Sequence, residues 1–306
     1  MRIVFAGTPE PAVPSLNAVL ASRHELVAAV TRPDRPAGRG RRTSASPIAE
    51  RAAAAGVEVL KPGLATDADF VARLRALRPD CCAVVAYGAL LPEPLLRIPT
   101  YGWINLHFSV LPAWRGAAPV QHAIRAGDDV TGATVFSLVR EMDAGPVYGT
   151  VTEPVGSTDT TGGLIDRLAD SGADLLVRVL DGIEEATLQA VPQAGEPTYA
   201  PKVTTADARI DWTAPARAVD RQVRSVTPAP GAWTRLRGRR LKLGPVEPLP
   251  DGAGPGLVSV TRQGVTVGTA AGSVRLGTVQ PEGRGPVDAG AWARGVHDLD
   301  GGRLGD

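Results

Sequence analysis

The 306-residue sequence predicts an α/β fold: a doubly wound, Rossmann-like, mostly parallel sheet followed by a small OB-like β-barrel. Short continuous apolar runs alternate with amphipathic stretches, which is the pattern of parallel strands covered by helices. The chain opens with a strand, a turn containing Gly7 and a helix, the order that begins a doubly wound fold. The last part of the chain carries short strands at close spacing, which is typical of a small barrel.

Apolar periodicity predicts the elements of the first part in chain order. The predicted strands are 2–6, 26–31, 57–60, 82–86, a run that begins at 104, 132–139 and 147–153. The predicted helices are 12–22, 46–55, 67–77 and 161–181. Because the strands are continuously apolar and helices separate them, we expect a sheet that is covered on both faces.

A polar stretch containing Pro and Gly, 190–207, shows no periodicity and is the predicted linker. A helix is expected after it, at 213–226. The strands predicted beyond that helix are 232–236, 239–243, 257–260, 264–268 and 273–278. We therefore expect one domain at 1–189 and a second domain at 208–306.

Composition and charge exclude several classes of protein. The net charge of +1 gives no overall attraction to nucleic acid or to an anionic membrane. No apolar run approaches the length of a membrane span, and residues 1–6 are too short for the core of a signal peptide. Cys81 and Cys82 are neighbours on a predicted strand and point to opposite faces, so neither a disulfide nor a shared metal site is expected. We expect a cytoplasmic monomer with two buried thiols and no metal.

Two polar side chains lie close together in the strand that begins at 104. Asn105 and His107 are two residues apart and therefore share a face of the strand. The carboxyl end of a strand is where open α/β sheets bind their ligands, and an amide beside an imidazole suits catalysis there. The alternative is an ordinary buried histidine with an asparagine neighbour.

A carboxylate follows the next predicted strand. Asp143 lies in the polar turn 140–146, and neighbouring strand ends meet at one edge of a sheet, so it can reach His107. The alternative is a turn residue ahead of Gly145. Together the three side chains supply an oxyanion donor, a general acid/base and a group that orients it. No cysteine is near, and Ser109 lacks a nucleophile elbow, so we expect direct transfer in which the substrate supplies the attacking atom.

These residues and their neighbours resemble the folate-dependent formyltransferases over nearly the whole chain. The resemblance rests on Asn105, His107 and Asp143 and on segments 5–9, 33–40, 85–88, 109–112, 114–119, 199–202 and 208–212. Two positions depart from the family pattern: Phe108 stands where Gly is usual, and Val110 where Leu is usual. Both positions tolerate apolar side chains, so we expect altered packing near the folate and an intact reaction.

The resemblance implies transfer of a formyl group from 10-formyltetrahydrofolate to the amino group of methionyl initiator tRNA, in support of translation initiation. The amine would attack the formyl carbon while negative charge develops on the formyl oxygen. Asn105 would donate to that oxygen, and a protonated His107 would do so more strongly. Asp143 would hold His107, favour its charged form and help to carry away the amine proton.

The resemblance also implies where the folate co-substrate binds. The loop 109–112 matches the folate-binding loop of the family, and the strand end 84–88 and the turn 140–145 would close around the pterin. The residues expected to bind the folate are Ser109, Val110, Leu111, Pro112, Tyr87 and Gly88.

Two basic segments are candidates for binding tRNA. The stretch 32–42 holds five arginines and one acid, and in the family the matching loop contacts the acceptor stem, with Arg39 at its key arginine. The stretch 235–242 holds five cations in eight positions across a predicted hairpin, so we expect its cations to line one side. The residues predicted to contact tRNA are Arg35, Arg39, Arg41, Arg42, Arg237, Arg239, Arg240 and Lys242.

The alternative for the first basic stretch is a flexible solvated loop, since arginine is the default cation of a chain with three lysines among 33 basic residues. The alternative for the second is a solvated hairpin face. The tryptophans expected in packing are Trp212, Trp233 and Trp292. The histidines expected at the surface or in turns, with no role, are His24, His122 and His297.

Three rival functions stay open at this point. Another folate-dependent formyltransferase, acting on a glycinamide nucleotide or a nucleotide sugar, would need Asn105, His107 and Asp143 but neither basic segment. A formyltetrahydrofolate hydrolase is a second enzymatic alternative. An RNA-binding module would use its α/β half only to bind a small ligand.

Overall fold

The computed structural model describes residues 1–37 and 42–305, with only the backbone described at 35–37 and 42–43. The chain divides into two compact units. The first unit comprises 1–116, 130–154 and 165–199. The second unit comprises 117–129, 155–164 and 200–306.

The strands up to residue 200 are numbered in chain order. They are β1 (Arg2–Gly7), β2 (Glu25–Val30), β3 (Arg35–Ala37), β4 (Arg42–Ser44), β5 (Val59–Leu60), β6 (Cys81–Val85), β7 (Trp103–His107), β8 (Arg115–Gly116), β9 (Val130–Ser137), β10 (Val147–Pro154) and β11 (Tyr199–Ala200). The helices over the same stretch are α1 (Val13–Ala21), α2 (Pro47–Ala54), α3 (Ala68–Leu77), α4 (Glu93–Leu96), α5 (Pro119–Ala126) and α6 (Thr161–Glu184), with one 3₁₀ turn at Glu10–Ala12.

The first unit contains a seven-stranded sheet in the order β10-β9-β7-β6-β1-β2-β5. Neighbouring strands from β7 through β6, β1 and β2 to β5 are parallel, and β9 and β10 complete the sheet as antiparallel strands. This confirms the predicted doubly wound, mostly parallel sheet. The strand order reverses between β6 and β1, and ligands of open α/β sheets bind at the carboxyl ends of strands near such a reversal.

The strands of this sheet are apolar because both faces are covered. All five residues of β6 are buried, including the free thiols of Cys81 and Cys82. Burial, and next to it the charge of Asp80, raises the pKa of Cys81 to about 12, and burial raises the pKa of Cys82 well above its usual value. The prediction of two buried, unpaired thiols is therefore confirmed, and neither thiol ionises near neutral pH.

The second unit is built largely from antiparallel strands. The strands are β12 (Trp233–Leu236), β13 (Arg239–Leu243), β14 (Val246–Leu249), β15 (Val258–Thr261), β16 (Gly264–Gly268), β17 (Ser273–Leu276), β18 (Thr278–Pro281) and β19 (Val287–Asp288), with helices α7 (Ala216–Ser225) and α8 (Ala289–Arg294). They form two four-stranded sheets, β12-β13-β18-β19 and β14-β17-β16-β15. Leu241, Val267 and Val279, from both sheets, share one apolar core. The predicted small antiparallel β-domain is confirmed.

Two predicted elements needed correction, and the structure adds a backbone pairing within the predicted linker. The single strand predicted at 273–278 is two strands, β17 and β18, because the chain turns at Gly277. The predicted loop 32–42 contains β3 and the start of β4, which pair antiparallel. The predicted linker 190–207 contains Val191, which exchanges two backbone hydrogen bonds with Val147 of β10. Pairings of one to three residues leave no periodicity in a sequence, so the pattern could not reveal them.

His24 lies in the bend between α1 and β2, as a turn histidine, but it is buried and not at the surface. It is 6% exposed, and its Nδ1 lies 3.3 Å from the amino group of Met1. Asp181 and Glu184 of α6 lie 3.3 and 3.7 Å from its ring nitrogens. The tryptophan prediction is confirmed, since Trp212, Trp233 and Trp292 belong to or pack against the core of the second unit. None of the helices in the described part of the chain combines the length and apolarity that a membrane crossing requires.

Candidate active site

Asn105 and His107 lie at the carboxyl end of β7, where Asn105 is paired with Phe136 and His107 with Thr134 of β9. His107 is buried, and its imidazole packs perpendicular to the Phe136 ring with 6.4 Å between centroids. Asn105 is half-buried. Its carboxamide makes no hydrogen bond to any described residue, so its two N–H groups are available to a ligand.

The loop that follows β7 determines which nitrogen of His107 carries a proton. His107 Nε2 lies 2.9 Å from the carbonyl oxygen of Trp114. A carbonyl oxygen only accepts, so Nε2 must be the donor. Nδ1 is therefore the nitrogen that gains and loses a proton as His107 changes charge.

Asp143 meets His107 from the turn after β9. Its Oδ2 lies 3.8 Å from His107 Nδ1 and accepts a hydrogen bond of 2.8 Å from the N–H of Gly116. The Asp143 backbone has φ +50°, a left-handed conformation that is uncommon for residues other than glycine. The structure thus brings together the imidazole and the carboxylate that the sequence placed on neighbouring strand ends, with Asn105 on the same face of β7.

The predicted folate-binding loop is fastened to β9 by one side chain. The Thr134 hydroxyl donates to the carbonyl of Ser109 at 2.7 Å and accepts from the N–H of Leu111 at 3.3 Å. Ser109 is buried, and its hydroxyl donates to the carbonyl of Ala113 at 2.6 Å. Leu111 is also buried, and Val110 and Pro112 are half-buried. The Ser109 hydroxyl is therefore occupied within its own loop.

Tyr87 and Gly88 follow β6, the neighbour of β7, at the same edge of the sheet. The Tyr87 side chain is buried in the apolar core, and burial raises the pKa of its hydroxyl although Arg32 opposes the shift. Its carbonyl accepts from the hydroxyl of Thr8 at 2.9 Å. Gly88 has φ +78°, and a Cβ atom at this position would meet nothing within 4 Å. Open space therefore lies beside the backbone of Gly88.

The basic residues have more varied positions than the sequence suggested. Arg35 and Arg42 lie on the paired backbones of β3 and β4. Arg39 and Arg41 lie outside the described residues.

In the β12–β13 hairpin, Arg240 faces Arg235 and Lys242 faces Trp233 across the strands. Arg239 is adjacent to Arg240 and so points to the opposite face, which makes the expectation of a single line of cations wrong. Arg237 lies in the turn and donates to the carbonyls of residues 297 and 298 at 2.8 and 2.9 Å. The guanidinium of Arg240 lies over the Trp233 ring, 4.4 Å from its centroid.

Sequence reasoning missed the contacts that the predicted linker makes with this site. Gln193 is hydrogen-bonded to the turn of Asp143 and to Arg115. Thr198 accepts from the N–H of Trp114 at 2.8 Å through its hydroxyl and from the N–H of Arg115 at 2.9 Å through its carbonyl. No spacing or periodicity marks these residues.

The arrangement has a definite chemical capacity. Nδ1 of His107 can exchange a proton beside a carboxylate, and the unpaired Asn105 amide can donate to an oxygen that gains negative charge. Both cysteines are buried in β6, and the hydroxyl of Ser109 donates to the carbonyl of Ala113, so neither side chain type is poised as a nucleophile here. The site suits an attack in which one substrate supplies the nucleophile.

Two family models match the chain. Residues 1–180 match the model described as formyl transferase, and residues 202–297 match the one described as formyl transferase, C-terminal domain. Among curated relatives, the methionyl-tRNA formyltransferase of Thermobifida fusca is 65% identical over 309 residues, covering 100% of both chains. The methionyl-tRNA formyltransferase of Streptomyces coelicolor is 59% identical over 310 residues, again covering 100% of both.

Solved structures share the fold at low identity. HypX from Aquifex aeolicus in complex with tetrahydrofolic acid has a TM-score of 0.64 at 19% identity, covering 98% of this chain and 47% of that one. The N-formyltransferase from Helicobacter canadensis, in complex with folinic acid and dTDP-3-aminofucose, has a TM-score of 0.69 at 14% identity, covering 91% and 98%.

Proposed function

The chain belongs to the formyl transferase family, and on that premise we propose that it transfers a formyl group from 10-formyltetrahydrofolate to the amino group of methionyl initiator tRNA. The observation that best supports this reaction is the 3.8 Å distance between Asp143 Oδ2 and His107 Nδ1. The amide of Asn105, which has no hydrogen-bond partner among the described residues, lies on the same face of β7 as His107. The acceptor is inferred from the relatives that match over their whole length and are named for methionyl-tRNA.

Each side chain of the site has a distinct part in the proposed reaction. Asn105 donates to the formyl oxygen as negative charge develops there during attack by the amine. His107, protonated on Nδ1, lies on the same face and stabilises the same charge, while the carbonyl of Trp114 keeps Nε2 protonated. Asp143 stabilises the imidazolium and accepts the amine proton, directly or through water. As the new amide bond forms, the bond between the formyl carbon and N10 breaks, and the proton taken from the amine can pass to N10 of the departing tetrahydrofolate.

The residues at the sheet edge fit a folate. When bound, 10-formyltetrahydrofolate supplies the activated formyl group. The open space beside Gly88 leaves room for a flat ring next to the strand-end backbone. The loop of Ser109 and Leu111, fastened by Thr134, supplies a fixed wall on the other strand. The proposed folate-binding residues are therefore Ser109, Val110, Leu111, Pro112, Tyr87 and Gly88.

We assign tRNA binding to the two basic segments. Arg239 and Lys242 are exposed cations of the β12–β13 hairpin that can contact phosphates. Arg35 and Arg42 belong to the β3–β4 pair, and Arg39 and Arg41 lie between those strands in the sequence. On this proposal 1–189 is the catalytic domain, 190–207 the linker and 208–306 the tRNA-binding domain of a cytoplasmic monomer.

The proposal is tested by incubating the purified chain with methionyl initiator tRNA and 10-formyltetrahydrofolate. We expect formylmethionine after hydrolysis of the product tRNA. Parallel reactions contain glycinamide ribonucleotide, an amino sugar nucleotide, or no acceptor. Turnover in one of these reactions and none with the aminoacyl-tRNA would replace the proposed acceptor.

A further inference from the structure

We propose that Gln193 is a positioning residue for the transfer reaction, because its carboxamide joins the turn of Asp143 to the loop that orients His107. The inference rests on the proposed function of that pair. Gln193 lies in a segment whose neighbouring residues, such as Val191 and Ala194, are exposed, whereas Gln193 itself is half-buried. Its side chain therefore points toward the site.

The carboxamide of Gln193 uses its full capacity for hydrogen bonds. Nε2 donates to the carbonyls of Asp143 and Gly145 at 2.8 and 2.9 Å. Oε1 accepts from Nε and Nη2 of Arg115 at 3.2 and 2.7 Å. An amide has two N–H donors and two acceptor lone pairs, so all four are used here. Because every donor and acceptor of the carboxamide is satisfied, this contact is a specific one.

The turn of Asp143 needs a restraint of this kind. Asp143 is held at φ +50°, a conformation that persists in an L-residue only when its surroundings fix it. A Cβ at Gly145 would come within 1.7 Å of the carbonyl oxygen of Ser137, so the turn packs directly on the end of β9. Hydrogen bonds from Gln193 hold the carbonyls on both sides of this contact. The Asp143 carboxylate is thereby aimed at His107.

The carboxamide of Gln193 and its four hydrogen bonds form a clamp, and the Oε1 end of this clamp acts on the loop of His107. Arg115 lies between Trp114, whose carbonyl accepts from His107 Nε2, and Gly116, whose N–H donates to Asp143. Gln193, through the guanidinium of Arg115, thus connects the two backbone stretches that fix the imidazole and the carboxylate. Loss of the clamp would lengthen the 3.8 Å separation without removing any reacting group.

The backbone of this segment is held independently of the Gln193 side chain. Val191 exchanges hydrogen bonds of 2.7 and 2.8 Å with Val147, and Thr198 is bonded to Trp114 and Arg115. Replacing Gln193 therefore removes the clamp and leaves the segment in place.

The test compares Gln193→Ala and Gln193→Glu with Gln222→Ala. Gln222 is a matched control because its Nε2 also donates to two backbone carbonyls, those of Asp207 and Arg209, while its Oε1 accepts from a backbone N–H. Gln193→Glu keeps the volume and the contact with Arg115 but turns a carboxylate oxygen toward two carbonyls, so it carries the test if the alanine variant does not fold. Thermal unfolding checks each variant.

We expect kcat for formylation of methionyl-tRNA to fall between about 10-fold and 100-fold in both Gln193 variants, with KM for either substrate nearly unchanged. Gln222→Ala should change the melting temperature and leave kcat unchanged.

Wild-type kcat in a folded Gln193→Ala protein would overturn the inference, as would an equal loss of kcat in folded Gln222→Ala. A wild-type chain that does not formylate methionyl-tRNA would overturn the proposed function and this inference together. The two failures are therefore distinguishable in one experiment.

Discussion

At the scale of single residues, the sequence predicted which side chains meet but not how they are held. Asn105 and His107 share a face because side chains alternate between the two faces of a strand. Asp143 lies near them because the ends of adjacent strands meet at one edge of the sheet. The left-handed backbone of Asp143 and the bond from His107 to the Trp114 carbonyl depend on loop conformations that no periodicity encodes. Gln193 was missed for the same reason.

The first prediction concerns His107. His107→Ala should reduce kcat for formylation by about 10²- to 10⁴-fold, because the general acid/base is removed. Binding of methionyl-tRNA, measured by filter retention, should be nearly unchanged. His297→Ala, which removes an exposed imidazole, is the matched control and should keep full activity. Undiminished turnover in His107→Ala would remove the site assignment.

At the scale of elements, long strands and helices were easier to predict than short ones. The long buried strands of the sheet and its long helices were predicted because each is marked by an extended apolar pattern. Strands of two or three residues such as β3, β5 and β8 take their conformation from a partner elsewhere in the chain. Of these, β5 was found only because the alternation of strands and helices required it. The short 109–112 loop is likewise ordered by contacts with Thr134.

The second prediction tests that loop. Thr134→Val keeps the shape of the side chain and removes its hydrogen bonds to Ser109 and Leu111. At about 1 kcal/mol per hydrogen bond, the loss of one or both bonds should raise KM for 10-formyltetrahydrofolate by roughly 5- to 30-fold. Thr131→Val is the control on the same strand, because the buried Thr131 hydroxyl has no hydrogen-bond partner in the described part of the chain. Equal KM values for the two variants would argue against the role of the loop.

The third prediction concerns His24, which packs against the end of α6. Burial, and next the charge of the amino terminus, lowers its pKa below 6.5 in the folded chain, although Asp181 and Glu184 partly oppose this. The unfolded chain therefore binds more protons in this range, so stability rises with pH. The contribution of neutral His24 to the free energy of unfolding is complete above about pH 6.5 and is lost as pH falls below that value.

Melting temperatures measured between pH 5 and 7.5 check this prediction. The wild-type curve should fall more steeply than that of His24→Gln below about pH 6.5. Parallel curves would show that the pKa of His24 is the same in the folded and the unfolded chain, which would contradict this prediction.

At the scale of the whole molecule, the order of a parallel sheet followed by antiparallel strands was predictable from the change in strand spacing. The distribution of cations over the hairpin was not, because it depends on strand register. The register places Arg240 over Trp233 and directs Arg239 to the opposite face.

The fourth prediction concerns these cations. Changing both Arg239 and Lys242 to Ala should raise KM for methionyl-tRNA and leave KM for the folate unchanged. The slope of log K against log salt for tRNA binding should become shallower by about one unit for each phosphate contact removed. Arg262→Ala, at an exposed position in the turn between β15 and β16, is the control. An unchanged slope in the double variant would exclude these residues from the tRNA surface.

A crystal structure of the chain with 5-formyltetrahydrofolate, a stable formyl-bearing folate, tests the proposed site most directly. We expect the pterin to lie at the edge formed by β6 and β7, with the formyl oxygen about 3 Å from the Asn105 amide and in reach of His107 Nδ1. A folate bound at another edge of the sheet, or a formyl group turned away from this amide and imidazole, would contradict the proposed site.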